Sequence, residues 1–239
     1  MIVDLVTEAI RNAATGNEEP VSQAAGLLLT TLTRDGLVYT AGAGHSLAAV
    51  AETFYRAGGL ACVYPLYHPE LLPLHGAEAS TGAERRPGLA AQVLAAAGGP
   101  GPDDLLVVFS NSGVNPYPVE LARAARQAGT PVIAVTSRTS VAAAPRRSEG
   151  TLIDAASIVL DTGVRPGDAS FPADNPRTAA LSTVLNAFLW NSLLAALVSL
   201  AGEAGNVTVP LWRSSNVPGG DEANAALLAR YRPRVPALA

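Results

Sequence analysis

Short apolar segments alternate with turn-rich and helical segments through the middle of this chain, and that alternation limits the fold more than any other feature. The apolar segments are rich in β-branched residues and cover 37–41, 60–64, 105–109, 132–135 and, more briefly, 158–160. Stretches with helical spacing follow several of them, at 47–57, 88–97 and 116–128. Apolar strands separated by helices are typical of a parallel sheet covered on both faces. We therefore predict an α/β fold with a doubly wound, five-stranded parallel sheet.

The segments on either side of this alternation predict further helices. Apolar residues recur at helical spacing near the N-terminus, with a break at Gly16 and Asn17, so two helices are expected there. The C-terminal end reads as irregular apart from a short helix near 221–230. We predict one domain over residues 1–239, made of an N-terminal helical segment at 1–34, an α/β core at 35–205 and a tail at 206–239.

The longest uncharged run lies between Arg177 and Glu203 and predicts a long helix, with Asn175 as its N-cap and Pro176 as its first residue. The run is long enough to cross a bilayer. Its asparagines are costly in lipid but easily satisfied inside a protein, so we expect a buried helix and no membrane partner. A helix that is apolar on most sides needs cover on most sides, which favours an oligomer.

The 16 basic residues are all arginines, and the absence of lysine excludes several kinds of chemistry. A lysine Schiff base or a pyridoxal phosphate aldimine cannot form, and the lysine of a Walker A loop is missing. The single cysteine, Cys62, excludes an intrachain disulfide and a thiolate zinc cage, which fits a reducing, cytoplasmic compartment. The net charge of −4 argues against nucleic acid as the main partner.

Glycine and hydroxyl-bearing residues follow three of the predicted strands, where ligands bind in parallel sheets. They are Gly44, His45 and Ser46 after the first strand, Ser110, Asn111, Ser112 and Gly113 after the third, and Thr136 and Ser137 after the fourth. The first turn lacks the third glycine of a dinucleotide-binding loop. Hydroxyls and backbone N–H groups at a helix N-terminus suit a phosphate monoester, although the same residues are common in ordinary turns and caps.

Two stretches, LVYTAGAGHSLAAVAETFYRAGG at 37–59 and DDLLVVFSNSGVNPYPVELARAARQAGTPVIAVTS at 103–137, are similar to elements of the sugar isomerase (SIS) domain. GAGHS resembles the GxGxS turn of that family, and SNSG resembles its SxSG turn. More narrowly, these motifs with STGAER and SSN resemble an uncharacterised bacterial family of single SIS domains regarded as phosphosugar isomerase-like.

The resemblance implies a flavodoxin-like α/β/α sandwich that binds phosphorylated sugars and assembles as a homodimer or homotetramer. It places the phosphate at Ser110, Ser112 and Ser137, with Ser46 nearby. One segment departs from the expected pattern, because APRRSEG at 144–150 stands where related sequences are expected to carry an Arg-His pair.

Candidate acid and base residues lie in the long segment 65–87, which the prolines and glycines predict to be a loop. Aldose–ketose isomerisation needs a base that moves a proton between adjacent carbons and a group that opens the ring. We predict Glu84 as the base and His75 as the ring-opening group, although a surface glutamate and a loop histidine are the plainer interpretations. The spacing of His and Glu here matches no zinc pattern, so no metal or cofactor is expected.

Three functions remain open from the sequence. The first is a phosphosugar isomerase. The second is a deaminase or lyase for a phosphorylated amino sugar, which would use the same phosphate turn and base. The third is a phosphosugar sensor without chemistry of its own.

Overall fold

Five parallel strands form a single sheet in the part of the chain that the structure, a computed structural model, describes: residues 1–205 and 207–239. The strands are β1 (Val38–Gly42), β2 (Val63–Leu66), β3 (Leu105–Phe109), β4 (Val132–Thr136) and β5 (Ile158–Asp161). Their order is β2-β1-β3-β4-β5, and every neighbouring pair is parallel. This confirms the predicted doubly wound α/β fold. The three central strands are fully buried, because helices cover both faces.

Ten α-helices surround the sheet in the described residues. They are α1 (Ile2–Gly16), α2 (Glu18–Thr33), α3 (Leu47–Thr53), α4 (Ala77–Glu84), α5 (Leu89–Ala97), α6 (Pro116–Gln127), α7 (Arg138–Ala143), α8 (Leu152–Ala155), α9 (Ser182–Ala204) and α10 (Gly220–Tyr231). The two N-terminal helices and the short helix near the C-terminus were expected from the sequence. The short helices α4, α7 and α8 were not, because each is too brief to show a clear apolar period.

The segment 65–87 is an ordered connection and not the open loop that its prolines and glycines predict. It contains two 3-10 turns, Pro69–Leu71 and Pro73–His75, followed by α4. The buried Ser80 hydroxyl of α4 donates to the Leu71 carbonyl at 2.8 Å and ties the helix to the first turn. Proline is well tolerated at the start of such turns, so it opens structure here instead of preventing it.

The second strand begins three residues later than predicted, and the helix before it ends earlier, at Thr53. Both differences come from the C-terminal tail, which runs beside the segment that joins α3 to β2. Gly58 N–H donates to the Trp212 carbonyl at 2.8 Å, and Ala61 N–H donates to the Pro210 carbonyl at 2.8 Å. Because backbone N–H groups of this segment are hydrogen-bonded to the tail, they do not require the helix to extend further or the strand to begin earlier.

The long apolar helix begins at Ser182, so the predicted start at Asn175 and Pro176 is wrong. The carboxylate of Asp168 accepts the N–H groups of Leu181 and Ser182, each at 3.0 Å, and the Ser182 hydroxyl at 2.5 Å. A carboxylate from an earlier loop therefore satisfies the free donors of the helix start. Asn175 is exposed in the loop before it.

Within the described residues, α9 is the one helix that is long and apolar enough to cross a membrane by length and composition. In the structure it packs mainly on α2, with further contacts to α1 and α3. Leu189, Leu193 and Leu197 are completely buried there, whereas Val184 and Val198 face outward and are 41% and 45% exposed. The helix thus closes one layer of the sandwich and keeps an uncovered apolar side.

Candidate functional site

A cleft of about 740 Å³ opens at the carboxyl ends of the central strands. Gly42 of β1 is paired with Phe109 of β3, so the turns that follow these two strands lie side by side. After β1 the chain crosses to β2 on one side, and after β3 it crosses to β4 on the other. This reversal of direction is where α/β sheets form their ligand crevices.

The turn after β3, Ser110 to Gly113, contributes Ser110, Asn111 and Ser112 to the cleft lining, whereas Gly113 lies outside it. Ser110 N–H donates to the Val135 carbonyl at 3.0 Å, and Gly113 N–H donates to the Ser110 hydroxyl at 3.3 Å. Gly113 has φ +56°, and a Cβ at this position would lie 2.8 Å from Cγ2 of Val141. Only glycine satisfies both the backbone conformation and the close packing.

Asn111 is the most heavily bonded residue of this turn. Its carbonyl accepts Ser137 N–H at 3.2 Å and the Thr136 hydroxyl at 3.3 Å. Its side-chain oxygen accepts the Thr162 hydroxyl at 3.1 Å. Asn111 also lines the cleft, but its bonds show that it holds the turn against β4 and the loop after β5.

Thr136 and Ser137 do not line the cleft, where the sequence and the resemblance predicted a ligand contact. Both are completely buried. The Ser137 hydroxyl donates to the Val164 carbonyl at 2.5 Å and accepts Ser140 N–H at 3.1 Å, so it caps α7 from beneath the turn. Both hydroxyls are already bonded to carbonyl groups of the protein, so they stabilise the turn and do not face a ligand.

The turn after β1 forms the neighbouring wall. Gly44, His45 and Ser46 make a 3-10 turn that lines the cleft, with Gly44 at φ +58° and His45 exposed. Ser112 lines the same space. The hydroxyl-bearing residues Ser46 and Ser112 thus line the cleft, whereas the Ser137 hydroxyl is bonded to the Val164 carbonyl away from it. The structure therefore brings together two of the three predicted turns.

Glu84 faces the cleft from the last turn of α4 and is half-buried. Burial raises the pKa of its carboxyl above the ordinary value of 4.5, and the charges of Arg85 and Arg147 oppose that rise. A carboxylate with a raised pKa is a stronger base than a fully solvated one. The structure therefore places Glu84, the residue predicted as the base, in the cleft lining.

His75 lies outside the cleft-lining residues and is exposed at the end of the second 3-10 turn. Its Nδ1 is 3.2 Å from the Pro69 carbonyl and 3.4 Å from the Tyr67 hydroxyl. The structure thus places His75 on the outer side of the segment whose residues Pro73 and Ala77 face the cleft. The histidine that does reach the cleft is His45.

Several cleft residues were not predicted as site residues from the sequence. They are Asn115, Ser140, Arg147, Asp168 and Ser182. The departure at APRRSEG was the one signal that pointed to Arg147. Asp168 and Ser182 could not be found, because their pairing depends on how the loop after β5 returns to α9. No group of three or more His, Cys, Asp or Glu side chains suited to a metal ion occurs in the described ranges.

A model of the SIS domain matches residues 3–137, which is more than half of the chain. The chain belongs to the SIS domain family.

Curated relatives of this SIS-domain protein include a UPF0309 protein of Brucella anthropi, 39% identical over 223 residues, with 92% of this chain and 90% of the relative covered. A UPF0309 protein of Listeria monocytogenes serotype 4b is 34% identical over 241 residues, covering 99% and 96%. These relatives place the SIS-domain protein within the UPF0309 proteins. The resemblance that the motifs indicated is confirmed.

Among solved structures, a phosphoheptose isomerase from Neisseria gonorrhoeae matches with a TM-score of 0.53 and 23% identity, covering 82% of this chain and 95% of that chain. A phosphoheptose isomerase from Francisella tularensis matches with a TM-score of 0.52 and 20% identity, covering 82% and 94%. At this identity the likeness shows the fold alone. It confirms the α/β architecture predicted for the SIS-domain protein.

Proposed function

We propose that this SIS-domain protein binds a phosphorylated sugar in the cleft and interconverts its aldose and ketose forms. The observation that carries the proposal is the meeting of two features in one cleft: the hydroxyl-rich Ser110–Gly113 turn and the half-buried carboxyl of Glu84. The first suits a phosphate and the second suits proton transfer at carbon. The names of the structural neighbours agree with this class of substrate.

The phosphate would lie against the Ser110–Gly113 turn at the start of α6. Ser112 and Ser46 present hydroxyls to the cleft, and backbone N–H groups of the turn supply further donors. The N-terminal end of α6 carries partial positive charge that favours an anion. A lysine-free protein can hold a phosphate in this way, because most of the donors are neutral hydroxyl and amide groups.

Glu84 would act on the open-chain form of the sugar. It removes the proton from carbon 2 of the aldose and returns it to carbon 1, while the proton of the carbon 2 hydroxyl moves to the carbonyl oxygen at carbon 1. The product is the ketose, and no electron acceptor is required. We assign ring opening to His45 in preference to His75, because His45 lines the cleft and His75 does not.

The proposal is tested first by a thermal-shift screen against pentose, hexose, heptose and N-acetylhexosamine phosphates, with the free sugars as controls. A ligand present at 100 times its Kd stabilises the folded state by about 2.7 kcal/mol. We expect a shift with one class of phosphosugar and none with the corresponding free sugar. A protein that melts cooperatively and shifts with no phosphosugar would contradict the proposal.

Turnover of the selected phosphosugar is then compared in Glu84→Gln and Glu78→Gln. Glu78 lies exposed on the same helix and outside the cleft lining, so it is a matched control. We expect Glu84→Gln to lower kcat at least about a hundredfold, the usual contribution of a positioned base, and Glu78→Gln to leave it unchanged. Binding without turnover in the parent protein would instead favour the sensor, and release of ammonia from an amino-sugar phosphate would favour the deaminase.

A further inference from the structure

The segment 144–152, which includes the unexpected APRRSEG sequence, folds back across the start of α6. Three successive residues just before α6 accept hydrogen bonds from the segment 144–152. Leu152 N–H donates to the Gly113 carbonyl at 2.8 Å, the Ser148 hydroxyl donates to the Val114 carbonyl at 2.9 Å, and Arg147 Nη1 donates to Asn115 Oδ1 at 3.2 Å. The backbone around Arg147 is thereby held in register with the Ser110–Gly113 turn.

Arg147 is the one arginine among the cleft-lining residues that the structure describes. The other ionisable side chains of that lining are His45, Glu84 and Asp168. The Asp168 carboxylate accepts the Ser182 N–H at the start of α9. The positive charge of Arg147 opposes the rise in the pKa of Glu84. Without Arg147 the cleft would present only negative permanent charge to a phosphate, which would oppose its binding.

The guanidinium of Arg147 has capacity for a second partner. Its bond to Asn115 goes to a neutral amide oxygen, and the residue is exposed. A guanidinium offers five donors in a planar fork that matches two oxygens of a phosphate. A charge-assisted pair of this kind is stronger than a bond to an amide, so a phosphate in the adjacent turn would compete for the side chain.

We propose that Arg147 is the specificity residue that recognises the negative charge of a phosphate held by the Ser110–Gly113 turn. In the free protein Asn115 and Ser148 keep the arginine beside the turn, and on binding its guanidinium joins the phosphate oxygens. The arginine thereby distinguishes a phosphorylated sugar from its free sugar. This inference rests on the proposed function and adds to it a residue outside the strand-end turns.

The test measures the affinity of two probes, inorganic phosphate and the phosphosugar that gives the largest thermal shift, by isothermal titration calorimetry. Arg147→Gln, Arg147→Lys and the parent protein are compared with Arg146→Gln. Arg146 is the adjacent exposed arginine and lies outside the cleft lining, so it is the matched control. We expect Arg147→Gln to weaken both probes about ten- to hundredfold, Arg147→Lys to recover part of the loss, and Arg146→Gln to bind like the parent.

Two further readouts separate recognition of charge from support of the fold. The Tm of unliganded Arg147→Gln should stay close to that of Arg146→Gln, because both arginines are exposed and Arg147→Gln loses a single hydrogen bond, the one to Asn115. The affinity of the parent should fall more steeply with added salt than that of Arg147→Gln, since one screened charge pair is lost.

Equal affinity of Arg147→Gln and Arg146→Gln for probes that bind the parent would overturn this inference and leave the proposed function standing. A parent protein that binds neither inorganic phosphate nor any phosphosugar of the panel would overturn both. A loss in Arg147→Gln that Arg147→Lys does not recover at all, accompanied by a lower Tm, would assign Arg147 a structural role and overturn the inference.

Discussion

At the scale of single residues, the candidate site depends on which polar side chains are already engaged by the protein. The Ser137 hydroxyl donates to the Val164 carbonyl, and the Thr136 hydroxyl donates to the Asn111 carbonyl of the turn. Ser112 and Ser46 keep theirs at the cleft surface. Glu84 differs from a surface carboxylate because burial raises its pKa. The sequence therefore indicated that polar residues at the strand ends form the site. It did not indicate which of them face the cleft and which stabilise the turn from inside the protein.

The raised pKa of Glu84 predicts how stability depends on pH. The folded state holds the Glu84 proton more tightly than the unfolded state, so the contribution of this group to stability is complete at pH below 4.5 and is lost as pH rises through the raised pKa. The glutamine of Glu84→Gln does not ionise, so the variant keeps its stability over the pH range in which the parent protein loses this contribution. We expect the Tm difference between Glu84→Gln and the parent protein to be larger, in favour of Glu84→Gln, at pH 8 than at pH 4.

Differential scanning calorimetry at the two pH values measures this change. Glu78→Gln serves as the control, because Glu78 is exposed on the same helix and should show no such difference. An equal Tm difference between Glu84→Gln and the parent at both pH values would contradict the prediction.

At the scale of elements, two tight turns that both need left-handed glycines differ in how they are packed. Gly44 and Gly113 have φ near +58° and +56°, respectively. A Cβ at Gly44 would meet nothing within 4 Å, whereas a Cβ at Gly113 would meet Val141 at 2.8 Å and the Thr136 hydroxyl at 3.0 Å. The turn after β1 therefore needs glycine for its backbone conformation alone, and the turn after β3 needs it also for space.

Gly44→Ala and Gly113→Ala separate these two requirements. Backbone strain alone should make Gly44→Ala less stable by about 1 kcal/mol. Strain and overpacking together should make Gly113→Ala less stable by about 3 kcal/mol. Urea unfolding of the two variants measures the free energies of unfolding, and equal losses would show that the crowding at Gly113 is relieved by movement of Val141.

At the scale of the whole molecule, α9 closes one layer of the sandwich yet leaves an apolar side uncovered. Val184 and Val198 are exposed on this helix, while its opposite side packs on α2. Exposed apolar residues on a long central helix are the kind of surface that a second copy covers. We propose, as the sequence indicated, that the protein is a homodimer or homotetramer.

Size-exclusion chromatography with light scattering tests this assembly. We expect a mass of two or four times the 24.4 kDa of one chain. Val198→Asp should shift the protein towards the monomer, because a buried unpaired charge is costly at an interface. The control is Thr208→Asp, an exposed residue of the tail outside α9. A parent protein that elutes as a monomer would contradict the prediction.

The fold was predictable because its signals are local. Each of the five strands shows as an apolar segment, and the turns after β1 and β3 show as glycine and hydroxyl residues directly beyond them. Parallel topology then brings those turns to one edge of the sheet, so the position of the cleft followed from the sequence pattern. The sequence also pointed to Glu84, a glutamate beside hydroxyl residues in a long connection, and the structure places it in the cleft lining.

Only the tertiary structure decided which residues complete the cleft and where the long helix begins. Asp168 caps α9, Asn111 binds Thr162, and segment 144–152 brings Arg147 to the start of α6. Each of these contacts joins residues that are distant in the chain, and their donors and acceptors could be satisfied locally in other ways. Periodicity reports which side of an element is buried, whereas hydrogen bonds between loops depend on the three-dimensional path that the packed elements impose.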